Sequence, residues 1–178
     1  QDLEFHTQFE VNTICGKFIV DFVAISHEGK KVGIECDGKD FHDASRDEWR
    51  DAMILGDNKL DSMYRMRGSD ITYYINDVLC ILSKCEPSLF SSRGIAKLKK
   101  LASGEIRDLI VQKKQTVFYT PLKDYESNQI SNILVERRHK NIPKGKRAFW
   151  QSCYAFAKSK NGGNLDEVIA DFRKRTST

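Results

Sequence analysis

Three carboxylates interrupt two hydrophobic segments near the amino terminus. The segment FIVDFVAI (18–25) carries Asp21, and the segment KVGIECD (31–37) carries Glu35 and Asp37. Residues two apart on a strand point the same way, so Glu35 and Asp37 share a face, about 6–7 Å apart along the strand. The glycine-containing turn between the segments predicts an antiparallel hairpin, whose register could bring Asp21 beside Glu35. Carboxylates this close repel one another and lose hydration. A divalent cation removes both costs, and hard oxygen ligands suit Mg²⁺ or Mn²⁺.

Two further side chains extend this predicted site. Lys39 and His42 follow the third carboxylate directly. A metal ion in such a site polarises a phosphate, lowers the pKa of an attacking water and stabilises the leaving oxygen. Lys39 is then the candidate partner for phosphate charge, and His42 is the candidate proton-transfer group. The sequence thus predicts metal-dependent hydrolysis of phosphodiester bonds. The predicted catalytic residues are Asp21, Glu35, Asp37, Lys39 and His42, and the first three of them are the predicted metal ligands.

Strands and helices alternate in a simple order around these residues. Alternating apolar positions and β-branched residues predict strands at 8–12, 18–25, 31–37 and 59–66. Apolar residues at helical spacing predict helices at 46–55 and 70–84. The resulting order, β-β-β-α-β-α, is typical of an α/β domain with a mixed sheet.

The pattern IVDF…GIECDGKDFH resembles the PD-(D/E)XK nuclease superfamily, and more narrowly the branch allied with very-short-patch repair endonucleases. The resemblance spans roughly residues 8–84 and implies a restriction-endonuclease-like core. It matches Asp21 to the metal-binding Asp, Glu35 to the acid of the (D/E)xK element and His42 to a histidine that the branch keeps.

Two features depart from that pattern. Asp37 stands where the superfamily usually has Lys, so Lys39 substitutes for the lysine or His42 makes it unnecessary. The family core also begins with a helix that bears an acidic residue. Glu4 or Glu10 could stand in for that residue, but the simpler expectation is that the chain is a fragment of a longer protein.

The charge is distributed unevenly along the chain. Residues 1–88 hold 10 Lys and Arg against 17 Asp and Glu, whereas residues 89–178 hold 19 against 8. This asymmetry predicts a polyanion contact on one side, with DNA as the expected partner. The predicted nucleic-acid-binding residues lie in the segments ERRHK and KGKR and are Arg137, Arg138, Lys144, Lys146 and Arg147.

A Pro, Ser and Gly-rich stretch near 86–94 predicts a boundary between a nuclease-like core, 1–86, and a basic, mainly helical extension, 87–178. The extension is expected to hold one short strand that ends at Pro121. Its expected helices cover IAKLKKLA, 105–114, 125–138, 143–160 and LDEVIADFRK. The third and fourth of these could form a helix-turn-helix pair.

Each prediction has an alternative. Asp21 could be a buried acid bonded to backbone or to Arg65, and Glu35 and Asp37 could face solvent on an edge strand. The basic clusters could be ordinary solvated surface. At the level of function, the alternative is a non-catalytic nucleic-acid-binding module that keeps the nuclease-like fold.

Composition narrows the class of protein. The five cysteines form no CxxC pair, which favours free thiols in a reducing compartment over a zinc ribbon or a disulfide framework. No apolar run approaches the length that spans a bilayer. The expected location is cytoplasmic, with no membrane partner.

Overall fold

Residues 3–38, 44–123, 130–141 and 150–176 are described by a computed structural model of the chain. Within them, six strands form one mixed sheet in the order β1-β2-β3-β4-β6-β5. The strands are β1 (Glu4–Thr13), β2 (Gly16–Ile25), β3 (Lys31–Asp37), β4 (Ser62–Arg67), β5 (Val117–Lys123) and β6 (Ile130–His139). Strands β3 and β4 are parallel, and the other neighbouring pairs are antiparallel.

Helices cover both faces of the sheet. They are α1 (Ala44–Gly56), α2 (Gly68–Cys85), α3 (Ser92–Leu101), α4 (Gly104–Arg107), α5 (Trp150–Ser159) and α6 (Leu165–Thr176), with a 3-10 turn at Pro87–Leu89. A parallel strand pair needs a crossover connection, and α1 supplies it between β3 and β4. The buried side of α1 packs against Met63 on one face of the sheet. On the other face, Val78 and Ile81 of α2 pack with Tyr64.

The α1 face is closed by the two carboxyl-terminal helices. Trp49 of α1 stacks edge-on against Phe156 of α5 and Phe172 of α6, with ring centroids 6.4 and 5.0 Å apart. Gly33 in β3 permits close packing beneath α1, because a Cβ there would collide with the side chains of Met63 and Leu60. Glycine is therefore required where β3 and β4 run side by side.

The structure confirms the α/β class and the mixed sheet. The predicted strands and helices between residues 8 and 84 are present as β1 to β4, α1 and α2. No helix in the described ranges combines the length and apolar character that crossing a bilayer requires.

The helix predicted at 125–138 is wrong where the structure describes it, because residues 130–139 form strand β6. Ile133 and Val135 are fully buried at alternate positions, which is the period of a strand. The predicted helix-turn-helix pair therefore loses its first helix. Residues 124–129 lie outside the described ranges.

The helix predicted at 105–114 is also too long, since α4 ends at Arg107. Ile106 is completely buried, whereas Ile110 is 83% exposed, so nothing packs against a further helical turn. The Lys84 ammonium instead donates to the carbonyl oxygens of Arg107 and Leu109, each at 2.7 Å. Of the helix predicted at 143–160, residues 150–159 are present as α5, and 143–149 lie outside the described ranges.

The segment after residue 87 shares its sheet and core with the segment before it. Strand β6 pairs with β4 along five residues, from Ser62 opposite His139 to Met66 opposite Val135. Cys153 and Ala157 of α5 pack in the same buried cluster as Trp49 of α1. The basic half of the sequence therefore contributes two strands to the sheet as well as helices.

Candidate active site

The β2–β3 hairpin places Asp21 next to Glu35, as its predicted register requires. Phe22 lies opposite Ile34 and Val23 opposite Gly33. Continuing that register by one residue sets Asp21 against Glu35. The backbone amide of Cys36 donates to Asp21 Oδ2 at 2.9 Å, which fixes this carboxylate against the end of β3. The alternative in which Asp21 bonds to backbone is thus part of the structure, whereas the bonds of Arg65 go to other acids.

The sheet is irregular at Asp21. Gln8 lies across from it on β1 with φ at +50°, a value uncommon for a residue other than glycine, and its side-chain amide donates to Asp21 Oδ1 at 3.3 Å. Val20 and Val23 are both fully buried in the cluster beneath α1, although they are three residues apart. Strict alternation therefore breaks at Asp21. Irregularities of this kind are frequent where a strand has to aim a functional side chain.

Glu35 is held in a poorly hydrated position on an interior strand. Only 7% of the residue is exposed, and Arg50 of α1 donates to its Oε1. Burial raises the pKa of Glu35 to about 7, with a further increase from Asp21, although Arg50 and Arg65 act in the opposite direction. The alternative in which Glu35 faces solvent on an edge strand is wrong, because β3 lies between β2 and β4.

Asp37 has a cationic partner that the sequence analysis did not identify. Arg65 of β4 donates from Nη1 to Asp37 Oδ1 at 3.1 Å. The same guanidinium binds Asp51 of α1 through two bonds, each 3.1 Å long, and lies 3.2 Å from Asp47. Glu35 and Asp37 thus share a face, as predicted, and both meet arginines there.

Three arginines on the α1 face, which we call the arginine cluster, neutralise these acids: Arg50, Arg65 and Arg138. Asp51 lies at its centre and is completely buried. Burial alone would raise the pKa of Asp51, but the adjacent Arg65 and Arg138 outweigh burial and lower it. One sequence signal pointed to this cluster. Arg65 interrupts an otherwise apolar strand, just as Asp21 does.

The oxygen atoms of Asp21 and Glu35 suit a hard divalent cation. Glu35 keeps a raised pKa although Arg50 contacts it, so its negative charge is incompletely compensated. A cation at this pair would reduce both the burial cost and the repulsion. Asp37 is already engaged by Arg65. Among the residues that the structure describes, no group of three or more His, Cys, Asp and Glu side chains is arranged to hold a metal.

The remaining predicted site residues divide into two groups. Lys39, His42, Lys144, Lys146 and Arg147 lie outside the described ranges. Arg137 and Arg138 are described and project to opposite faces of β6. Arg137 is 5% exposed and donates to backbone carbonyls between α4 and β5, whereas Arg138 pairs with Asp51 beneath α1. Their role in nucleic-acid binding stays a prediction.

Comparisons of the chain with protein-family models, with curated proteins and with solved structures found no match.

Proposed function

We propose that this chain is a metal-dependent nuclease with a restriction-endonuclease-like core that hydrolyses phosphodiester bonds in DNA. The observation that carries the proposal is the adjacent pair Asp21 and Glu35. They lie on neighbouring strands, and Glu35 is buried enough to raise its pKa to about 7. Two carboxylates kept close at this cost favour a site that binds a cation during function over a purely structural role.

Asp21 and Glu35 would hold Mg²⁺ or Mn²⁺, with the Cys36 carbonyl as a further oxygen ligand. When bound, the metal supplies charge stabilisation at the phosphate and an activated water. The chain's own groups orient the pair. The Cys36 amide and Gln8 fix Asp21, and Arg50 fixes Glu35. Lys39 and His42 are the proposed partners for phosphate charge and for proton transfer.

The test is incubation of supercoiled plasmid with the protein in Mn²⁺, in Mg²⁺ and in EDTA. We expect nicked or linear product in the metal-containing reactions alone. Asp21→Asn and Glu35→Gln should each slow cleavage by more than about a hundredfold, the upper range for loss of a group that merely supports a metal ligand.

The matched control is Asp171→Asn, which makes the same chemical change at a half-exposed carboxylate on α6 paired with Lys160. It should cleave at the wild-type rate. Full activity in Asp21→Asn would show that the site is assigned to the wrong residues, and equal losses in Asp21→Asn and Asp171→Asn would point to a general effect of charge.

A second function, a non-catalytic nucleic-acid-binding module, is favoured by one specific observation. Glu35 and Asp37 already pair with Arg50 and Arg65, so the protein compensates these acids without a metal. This function predicts salt-dependent DNA binding, intact plasmid in Mn²⁺ and no heat on calorimetric titration with Mn²⁺. A saturable heat that Asp21→Asn removes would exclude it.

A further inference from the structure

A cavity of about 580 Å³ opens on the face of the sheet that α2 covers, away from the Asp21–Glu35 pair. Lys30, which lines it, directly precedes β3, whereas Glu35 and Asp37 lie at the other end of that strand. Arg137 and His139 line it from β6. Ser62 and Tyr64, which lie opposite His139 and Arg137 on β4, point to the same face. The cavity and the proposed active site therefore occupy opposite faces and opposite ends of the sheet.

Positive charge dominates the lining of this cavity. Its one carboxylate is Glu86, and its cationic side chains are Lys30, Lys84, Lys113, Lys114 and Arg137. Glu86 is completely buried and fully engaged, since Lys30 pairs with it and the hydroxyls of Ser62 and Tyr64 donate to it at 3.0 and 2.8 Å. Lys30 alone thus balances Glu86, and the charges of the other four cations are left over.

The wall that carries two of these lysines is held in place by buried bonds. The Arg137 guanidinium donates to the carbonyl oxygens of Lys113, at 2.9 Å, and of Gln115, at 2.6 and 3.0 Å. The segment between α4 and β5 is therefore tied to the sheet. Lys113 and Lys114 project from it, and neither ammonium has an ion-pair or hydrogen-bond partner in the described part of the chain.

His139 adds a polar group to the same cavity. Its Nδ1 accepts a hydrogen bond from the backbone amide of Asn141 at 2.9 Å. The neutral ring therefore carries its proton on Nε2, where it can donate to a ligand. Burial lowers the pKa of His139, and Lys30 and Arg137 lower it further, while Glu86 and Asp61 act against them.

We infer that this cavity binds a phosphate monoester of about nucleotide size. A phosphate monoester carries a charge of roughly −1.5 to −2 at pH 7 with three acceptor oxygens, so it matches several ammonium groups better than a single carboxylate would. The volume falls within the range of about 300–1,000 Å³ that is typical of small-molecule sites. The phosphate could belong to a free nucleotide or to the end of a nucleic-acid strand. This site is independent of the proposed nuclease function and shares none of its residues.

The test is calorimetric titration of the full chain in EDTA, so that metal-dependent cleavage cannot contribute. The probes are inorganic phosphate, a nucleoside monophosphate, the same nucleoside without phosphate, and a short single-stranded oligonucleotide with and without a 5′-phosphate. We expect saturable binding that requires the phosphate. Preference for the monophosphate would identify a free nucleotide as the ligand, and preference for the phosphorylated oligonucleotide would identify a strand end.

The site is located by a pair of matched variants. Lys113→Gln with Lys114→Gln removes the two unpaired cations and should weaken binding about tenfold or more, because hydrogen bonds to charged groups are among the stronger ones. Lys97→Gln with Lys100→Gln removes the same charge from exposed positions on α3 and should leave affinity nearly unchanged. The ring resonances of His139 should shift on saturation.

Three results would overturn the inference. They are the lack of saturable binding by any phosphate-bearing probe, equal binding of nucleoside and nucleotide, and equal weakening by the two double variants. The last result would indicate nonspecific attraction to a basic protein.

Discussion

Replacing Glu35 with Gln should stabilise the protein at pH 8 when no metal is added. In the folded state, burial and Asp21 raise the pKa of Glu35 from its ordinary value of 4.5 to about 7. One pKa unit corresponds to about 1.4 kcal/mol, so ionised Glu35 costs the folded state about 3 kcal/mol. Gln cannot ionise, and its amide oxygen can still accept the hydrogen bond that Arg50 makes to Glu35.

The predicted gain depends on pH with a definite sign. Protonated Glu35 is favoured by the folded state, so its contribution is fully present below pH 4.5 and is lost as the pH rises to about 7. The stability difference between Glu35→Gln and the wild type should therefore be near zero at pH 4.5. It should grow between pH 4.5 and 7 and level off by pH 8 at about 3 kcal/mol.

The assay is urea unfolding of both proteins in EDTA at half-unit steps between pH 4.5 and 8. Glu28→Gln, at an exposed carboxylate in the β2–β3 turn, is the matched control and should show no such growth. If Glu35→Gln were less stable than the wild type at pH 8, with a deficit that grows as the pH rises, the Arg50–Glu35 pair would be net stabilising. The argument for an undercompensated carboxylate would then be refuted.

The remaining predictions concern metal binding, the arginine cluster and the basic half. Adding Mg²⁺ at a hundred times its dissociation constant should raise wild-type stability by about 2.7 kcal/mol and leave Asp21→Asn unchanged; equal gains would place the metal elsewhere. Asp37→Asn should leave the Mn²⁺ midpoint for cleavage nearly unchanged, because Arg65 engages Asp37; a raised midpoint would restore Asp37 as a ligand. Arg65→Met should cost about 3–5 kcal/mol in urea unfolding by depriving the buried Asp51 of its two-bond partner; a loss below 1 kcal/mol would mean that Arg138 suffices. DNA binding should lose about 0.9 from its log–log salt slope per lost phosphate contact when Gln replaces the three cations of the KGKR segment; an unchanged slope would assign them to solvated surface. Those three cations are Lys144, Lys146 and Arg147.

The elements that could be predicted from the sequence are those whose partners are near in the chain. Residues 18–37 form a hairpin, so a local pattern of apolar residues, a glycine-containing turn and a misplaced acid was enough to bring Asp21 to Glu35. The same logic applies to α1, whose apolar positions Trp49, Ala52 and Met53 are all buried. Short-range periodicity reports which face of an element is buried, and here it did so correctly.

The features that escaped prediction depend on partners far away in the chain. Arg138 is buried because Asp51 accepts from it across 87 residues, and Arg137 is buried because it binds carbonyls 22 to 25 residues earlier. Without these partners, the ERRH sequence resembles a solvated helix end. Arg65 did carry a local signal, as a charge within a buried strand, but its three acidic partners could not be identified by spacing alone.

The position of β6 also changes what the uneven charge of the sequence means. An acidic first half and a basic second half suggest two surfaces of opposite sign, but β6 inserts beside β4 and carries cations of the second half into the first. Arg138 is consumed in neutralising Asp51, and Arg137 in holding the wall of the cavity. Buried arginines of this kind cannot track phosphates along a nucleic acid. Any DNA contact must therefore come from exposed lysines and arginines elsewhere in the second half, and the net charge of that half overstates the charge that a polyanion can reach.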